Sequence, residues 1–151
     1  MKKVFVLGIS ILFLWSCNNT TEKSTEKQAT ENHEEHQHDE SSEAIELNNG
    51  EKWLVNEEMK PFVMKGEELV NSFIQNNHTD YKALAQQLIE QNNQLIKSCT
   101  MNGKSHDELH KWLHPHLEIV NALEEEKDAA KANEIVLQLQ KSYQDYHQYF
   151  N

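Results

Sequence analysis

The sequence predicts an all-α protein, an antiparallel up-down-up-down four-helix bundle that follows a disordered N-terminal tether. Three observations carry that prediction. Four stretches place apolar residues three and four apart, the period of one buried helix face. Short polar breaks, two of them marked by Asn-Gly or Asn-Asn, separate these stretches. No run alternates β-branched and polar residues as a half-buried strand would. None of the four stripes can be buried alone, so they are expected to share one core.

The elements follow in order. A lead-in over residues 45–55 contains Asn49-Gly50, a turn signal. Helical patterning starts at Asn56, with Met59, Phe62, Val63, Gly66, Val70, Phe73 and Ile74 on one face. Asn76-Asn77-His78 interrupts it, and Thr79 is the expected cap of a second helix. That helix carries Tyr81, Leu84, Ala85, Leu88, Leu95, Ile96 and Cys99. Asn102-Gly103 breaks the chain again, and Ser105-His106-Asp107-Glu108 fits a capping box for the third helix. The third stripe is Leu109, Trp112, Leu113, His116, Ile119, Val120 and Leu123. Pro115 has no N–H to donate and is expected to bend this helix or end its first segment. Asp128 caps the fourth, which carries Ala132, Ile135, Leu139, Tyr143, Tyr146 and Phe150.

Ahead of the bundle, Met1-Lys2-Lys3 is basic, residues 4–15 are almost wholly apolar, and Leu14-Trp15-Ser16-Cys17 closes the run. This is the layout of a signal peptide over residues 1–16, too short to span a bilayer comfortably as a permanent helix. The closing four residues resemble the lipobox of bacterial lipoproteins. The resemblance implies cleavage before Cys17 and acyl chains, palmitate among them, on that residue. Several chains together anchor a protein where one binds only marginally. The implied location is the bacterial envelope, best the outer membrane of a diderm cell, on its periplasmic face or at the cell surface. Residues 17–44 are polar and acidic without an aromatic side chain, which predicts a disordered tether. Within it, His33, His36 and His38 lie among carboxylates, a compositional signal for weak, exchangeable metal binding. The bundle domain is expected over residues 45–151.

The 151-residue chain has no arginine and a formal charge of −11 at pH 7. That argues against nucleic acid or an anionic lipid surface as partner, and for attraction of cations. There are two cysteines. If Cys17 carries lipid, Cys99 has no intrachain partner in a compartment that favours disulfides. It is then buried and inert, joined to another molecule, or a metal ligand.

Residues 99–116 concentrate the candidate chemistry: Cys99, Met101, His106, His110, His114 and His116. His106 and His110 are four apart and share a helix face. Cys99 and Met101 would diverge on a helix but can converge in a loop after its end. Thiolate and thioether favour Cu(I), and imidazole suits copper and zinc, so the set Cys99, Met101, His106 and His110 points to a copper ion before zinc. Up-down topology brings Met59 and His147 to the same end of the bundle as additional candidates. His116 lies roughly 15 Å along the helix from His106 and is in phase with the core stripe, so a hydrogen-bonded core position is expected. His114 is displaced from the stripe and is expected in solvent, unless Pro115 turns it toward the site. Cys99 continues an apolar stripe, which is also ordinary packing for a free thiol.

The run Cys99-Thr100-Met101, Gly103, His106-Asp107, Leu109-His110, Trp112-Leu113 and Pro115, with Leu47-Asn48-Asn49-Gly50-Glu51-Lys52-Trp53 before it, is similar to a group of small Bacteroidota-type lipoproteins. The resemblance spans residues 45–123 and implies no particular activity.

These residues point first to a binding protein that holds a soft transition metal for buffering, resistance or transfer. One alternative is a helical module that meets an envelope partner protein, with Cys99 buried. A lesser one is a b-type haem electron carrier, because Met59 and His147 occupy the places of haem ligands in some four-helix cytochromes, although a Cys-x-x-Cys-His attachment motif is absent. No Gly-rich nucleophile turn or phosphate loop points to an enzyme.

Overall fold

The computed structural model describes residues 44–151. The expected signal peptide, the lipidation site Cys17 and the tether histidines His33, His36 and His38 lie outside the described residues. The described residues form four helices: α1 (Lys60–Gln75), α2 (Tyr81–Lys97), α3 (Gly103–Glu125) and α4 (Ala129–Tyr149). Each packs on its sequence neighbour, and α4 closes the ring against α1. Across the middle α2 meets α4, whereas α1 and α3 stay apart. This is the four-helix bundle that the periodicity predicts. None of these helices is long and apolar enough to cross a membrane.

Local chemistry sets the helix ends. Asn77 takes a left-handed backbone (φ 50) in the turn after α1. The cap of α2 is Asp80 and not the expected Thr79; its carboxylate accepts from the Ala83 amide at 3.0 Å. Asp128 caps α4 as expected, accepting from the Ala130 and Lys131 amides. The expected capping box on α3 does not form. That helix begins at Gly103, where φ is +63, so Ser105 already lies inside the first turn and donates its hydroxyl back to the Asn102 carbonyl. Glu108 is drawn elsewhere. Nor does Pro115 end a segment: α3 runs through it without interruption.

The core includes Met59, Val63, Val70, Leu88, Leu95, Leu109, Trp112, Val120, Leu123, Val136, Leu139, Tyr143, Tyr146 and Phe150. Gly66 lets α1 and α4 approach: a Cβ there would collide with the Tyr143 hydroxyl. Ile96, expected in the α2 stripe, is instead 47% exposed, while its neighbour Leu95 takes the buried position in that last turn.

The lead-in is a built element with two ties. Asn49 and Gly50, both at positive φ, make the tight turn bridged by Asn48 and Glu51. Beyond it, the Trp53 amide donates to the Tyr149 carbonyl at 2.8 Å, and the Asn151 amide donates back to Trp53. The lead-in and the residues after α4 are thus paired. The second tie is to α3. Glu108 is only 1% exposed, and its carboxylate accepts from the Glu46 amide at 2.8 Å and from Lys111 Nζ at 3.0 Å. Burial pushes this carboxyl up, but the Glu46 amide and the Lys111 and Lys104 ammoniums outweigh it and hold it below the ordinary range. The Trp53 indole N–H closes the strap on the Glu46 carbonyl at 2.6 Å.

Candidate metal centre

Helix α3 presents two unlike faces. Leu109, Trp112, Leu113, His116, Val120 and Leu123 face inward. On the outer side, His106, His110 and His114 follow one another a turn apart. The His106 and His110 rings are 4.2 Å apart between centroids, and those of His110 and His114 are 4.9 Å apart. His110 Nδ1 lies 2.8 Å from His114 Nε2, a hydrogen bond between two imidazoles. One ring donates and the other accepts, so one of the two contacting nitrogens carries the shared proton. His106 also lies near Asp107, at 3.8 Å.

The sequence pairing of His106 with His110 is therefore present, and His114 joins it. His114 was expected to stand apart because it falls off the apolar stripe. The stripe reports only what faces the core, whereas the spacing of four and then eight residues was the signal for a second, outer row.

Cys99 and Met101 are placed differently. Both are half-buried and pack against the hydrophobic core. Their loop is held by Asn56, whose side chain donates to the Ser98 carbonyl at 3.1 Å and accepts from the Thr100 amide at 3.4 Å. The start of α1 and the α2–α3 loop do meet at one end of the bundle, as the topology requires. Among the described residues, however, no three His, Cys, Asp or Glu side chains form a group that could hold a metal ion.

The remaining candidates are accounted for by other contacts. Met59 is wholly buried in the core. His147 lies on the surface, with Nε2 2.8 Å from Glu67 of α1. The two lie in different environments, one interior and one exposed. His116 is wholly buried, and its Nδ1 lies 3.0 Å from Ser142 Oγ. Its ring stacks on Trp112, whose indole donates to the Ser142 carbonyl, and meets the edge of Tyr143. Burial depresses the His116 pKa to about 4, so it is neutral at physiological pH. Among the described residues, the buried Nε2 has no hydrogen-bond partner.

Sequence reasoning missed Glu108 and Ser142 as buried polar groups. Neither is apolar, and each is drawn inward by a partner distant in sequence: Glu46 for one, Trp112 and His116 for the other. No protein-family profile, no curated protein and no solved structure matches the chain.

Proposed function

We propose that this protein is a lipid-anchored envelope protein that captures a transition-metal ion, copper first and zinc second, on the imidazoles of α3. It acts as a binding protein, for buffering, resistance or transfer to a partner protein, and not as an enzyme. The observation that carries this reading is the contact between His110 Nδ1 and His114 Nε2 at 2.8 Å, continued by the His106 ring. Nitrogens on one ion, each about 2.0–2.1 Å from it, stand only slightly further apart than this, so small ring movements admit a metal once the proton shared between the two rings has passed to the donor ring's other nitrogen. Imidazole donors suit both copper and zinc, and the general affinity order of divalent ions places Cu(II) above Zn(II). A net charge of −11 draws cations toward the chain, and an acylated Cys17 would keep it at a membrane.

The test is native mass spectrometry of the full-length chain loaded with Cu(I), Cu(II) or Zn(II). The tether histidines His33, His36 and His38 are replaced by alanine so that they do not contribute. One retained ion is expected, and it is lost in the His106→Ala, His110→Ala double variant. A double variant that keeps full stoichiometry and affinity sinks the assignment to α3. A Cys99→Ser variant that alone abolishes Cu(I) retention moves the site to the Cys99–Met101 loop.

A further inference from the structure

We infer that the α3 histidines form a ladder of two overlapping metal seats, His106–His110 and His110–His114, which share His110 and hold one divalent ion at a time. This rests on the metal-binding reading above and specifies how the site works. Two facts of geometry lead to it. First, the three rings stand in a row along the helix, 4.2 and 4.9 Å apart. The outer two, His106 and His114, are eight residues apart, roughly 12 Å along the axis. To share one ion, His106 would have to lie along the helix toward its C-terminus. Helical side chains lean the other way, and His110 occupies the space between. This agrees with the lack of any three-ligand group among the described residues. The neighbouring pairs have the spacing at which two imidazoles meet on one face.

Second, His110 is used twice. Its Nδ1 is turned to His114, and its ring faces His106. A neutral imidazole has one lone pair and one N–H. His110 therefore serves one seat at a time, and an ion in one seat excludes an ion in the other. Moving between seats exchanges His106 for His114 while His110 stays bound, through a turn of its ring. No redox change or other reactant is involved. The donors are nitrogen only, which suits Zn(II), Cu(II) or Ni(II) better than Cu(I). Each seat uses two protein ligands and leaves coordination positions open to water or to a donor from a receiving molecule. That arrangement favours rapid exchange over permanent storage.

The ladder predicts an asymmetry that a single three-histidine site does not. The probe is Zn(II) alone, added to the full-length chain with His33, His36 and His38 replaced by alanine. Binding is followed by titration calorimetry and by the imidazole resonances. In the parent, one equivalent should perturb His106, His110 and His114 together. His106→Ala and His114→Ala should each still bind one ion, weakened by about twofold from the loss of one of two like seats. His110→Ala should weaken binding by more than about tenfold, because isolated imidazoles remain. All three positions are at least partly exposed, and unchanged thermal midpoints without metal will show that the variants fold. Equal losses in all three variants overturn the ladder in favour of one three-ligand site. Zinc bound without any shift in these three resonances overturns it while leaving metal binding elsewhere in the chain intact. A parent that binds no Zn(II), Cu(II) or Cu(I) overturns both this inference and the function on which it rests.

Discussion

Replacing Glu108 by alanine should loosen the lead-in from the bundle, and the structure sets the size of the effect. The carboxylate accepts from the Glu46 amide at 2.8 Å and from Lys111 at 3.0 Å, with Lys104 at 3.7 Å. Hydrogen bonds to a charged group contribute about 1.5–3 kcal/mol each. The Lys111 side chain keeps 22% of its exposure, so its ammonium can regain water once the partner is gone. Alanine also gains roughly half a kcal/mol of helix propensity over glutamate at most. The net cost should be about 3 kcal/mol, with the midpoint lowered by about 10–15 °C for a domain of this size. Glu108→Gln keeps an acceptor for the Glu46 amide but loses the charge, so it should fall between parent and alanine. The assay is urea denaturation of all three proteins, with hydrogen exchange at the Glu46 amide, which should lose protection in Glu108→Ala. The pH dependence has a definite sign. The folded carboxyl lies below its ordinary value of 4.5, so the unfolded chain takes up the proton first as pH falls. Its contribution is complete above that value and disappears as pH drops through the folded one, where parent and Glu108→Gln should converge. An alanine variant within about 0.5 kcal/mol of the parent, the range of ordinary surface changes, refutes the view that this carboxylate latches the strap.

Three further outcomes follow from single contacts. Gly66→Ala should cost about 1–3 kcal/mol by forcing its Cβ into the Tyr143 hydroxyl, and adding Tyr143→Phe should recover part of that loss in thermal melts. Asp128→Ala removes the acceptor for the Ala130 and Lys131 amides and should cost about 1 kcal/mol in denaturant titrations. His116 has its folded pKa lowered from 6.5 to about 4, so the unfolded chain binds its proton first as pH falls. Stability should drop by about 3 kcal/mol between those values and level off below, and His116→Leu should flatten that slope whatever its absolute stability.

Much of the fold is written in local pattern. The four stripes, the Asn49-Gly50 and Asn102-Gly103 turns and the Asp128 cap each depend on residues close in sequence, and each appears where periodicity and turn chemistry put it. The α2 cap shifts by one residue because Thr79 and Asp80 both offer a side-chain oxygen, and only their backbone geometry separates them. The Ser105–Glu108 pattern misleads for a deeper reason. It satisfies the local rule, but the Asn102-Gly103 turn starts the helix three residues earlier, and Glu108 is then claimed by Glu46, 62 residues away. The pairing of Trp53 with Phe150 uses backbone groups, which leave no mark on side-chain pattern. The histidine row was half legible. Spacing gave His106 with His110, and His114, kept only as an additional candidate and expected in solvent, is exposed and meets His110 on the outer face. Cys99 was legible both as stripe and as donor, and the structure packs it against the core.

These placements bear on how strongly a metal should act on stability. Helix α3 is fixed along its inner face by the core and at its N-terminal half by the strap, through Glu108 and Lys111. The histidines therefore keep helical register without metal, and the ion is not needed to build its own seat. Preformed ligands bind the folded state and lose their arrangement on unfolding, so metal should stabilise the protein by mass action alone: about 2.7 kcal/mol at an ion concentration one hundred times the dissociation constant. A zinc finger behaves otherwise, since its fold depends on the ion. Thermal melts with increasing Zn(II) should thus start from a fully folded, metal-free bundle and rise with the logarithm of concentration, and His110→Ala should remove most of that rise. A chain that unfolds when stripped by chelator, or an undiminished rise in His110→Ala, would refute a preformed imidazole site on α3.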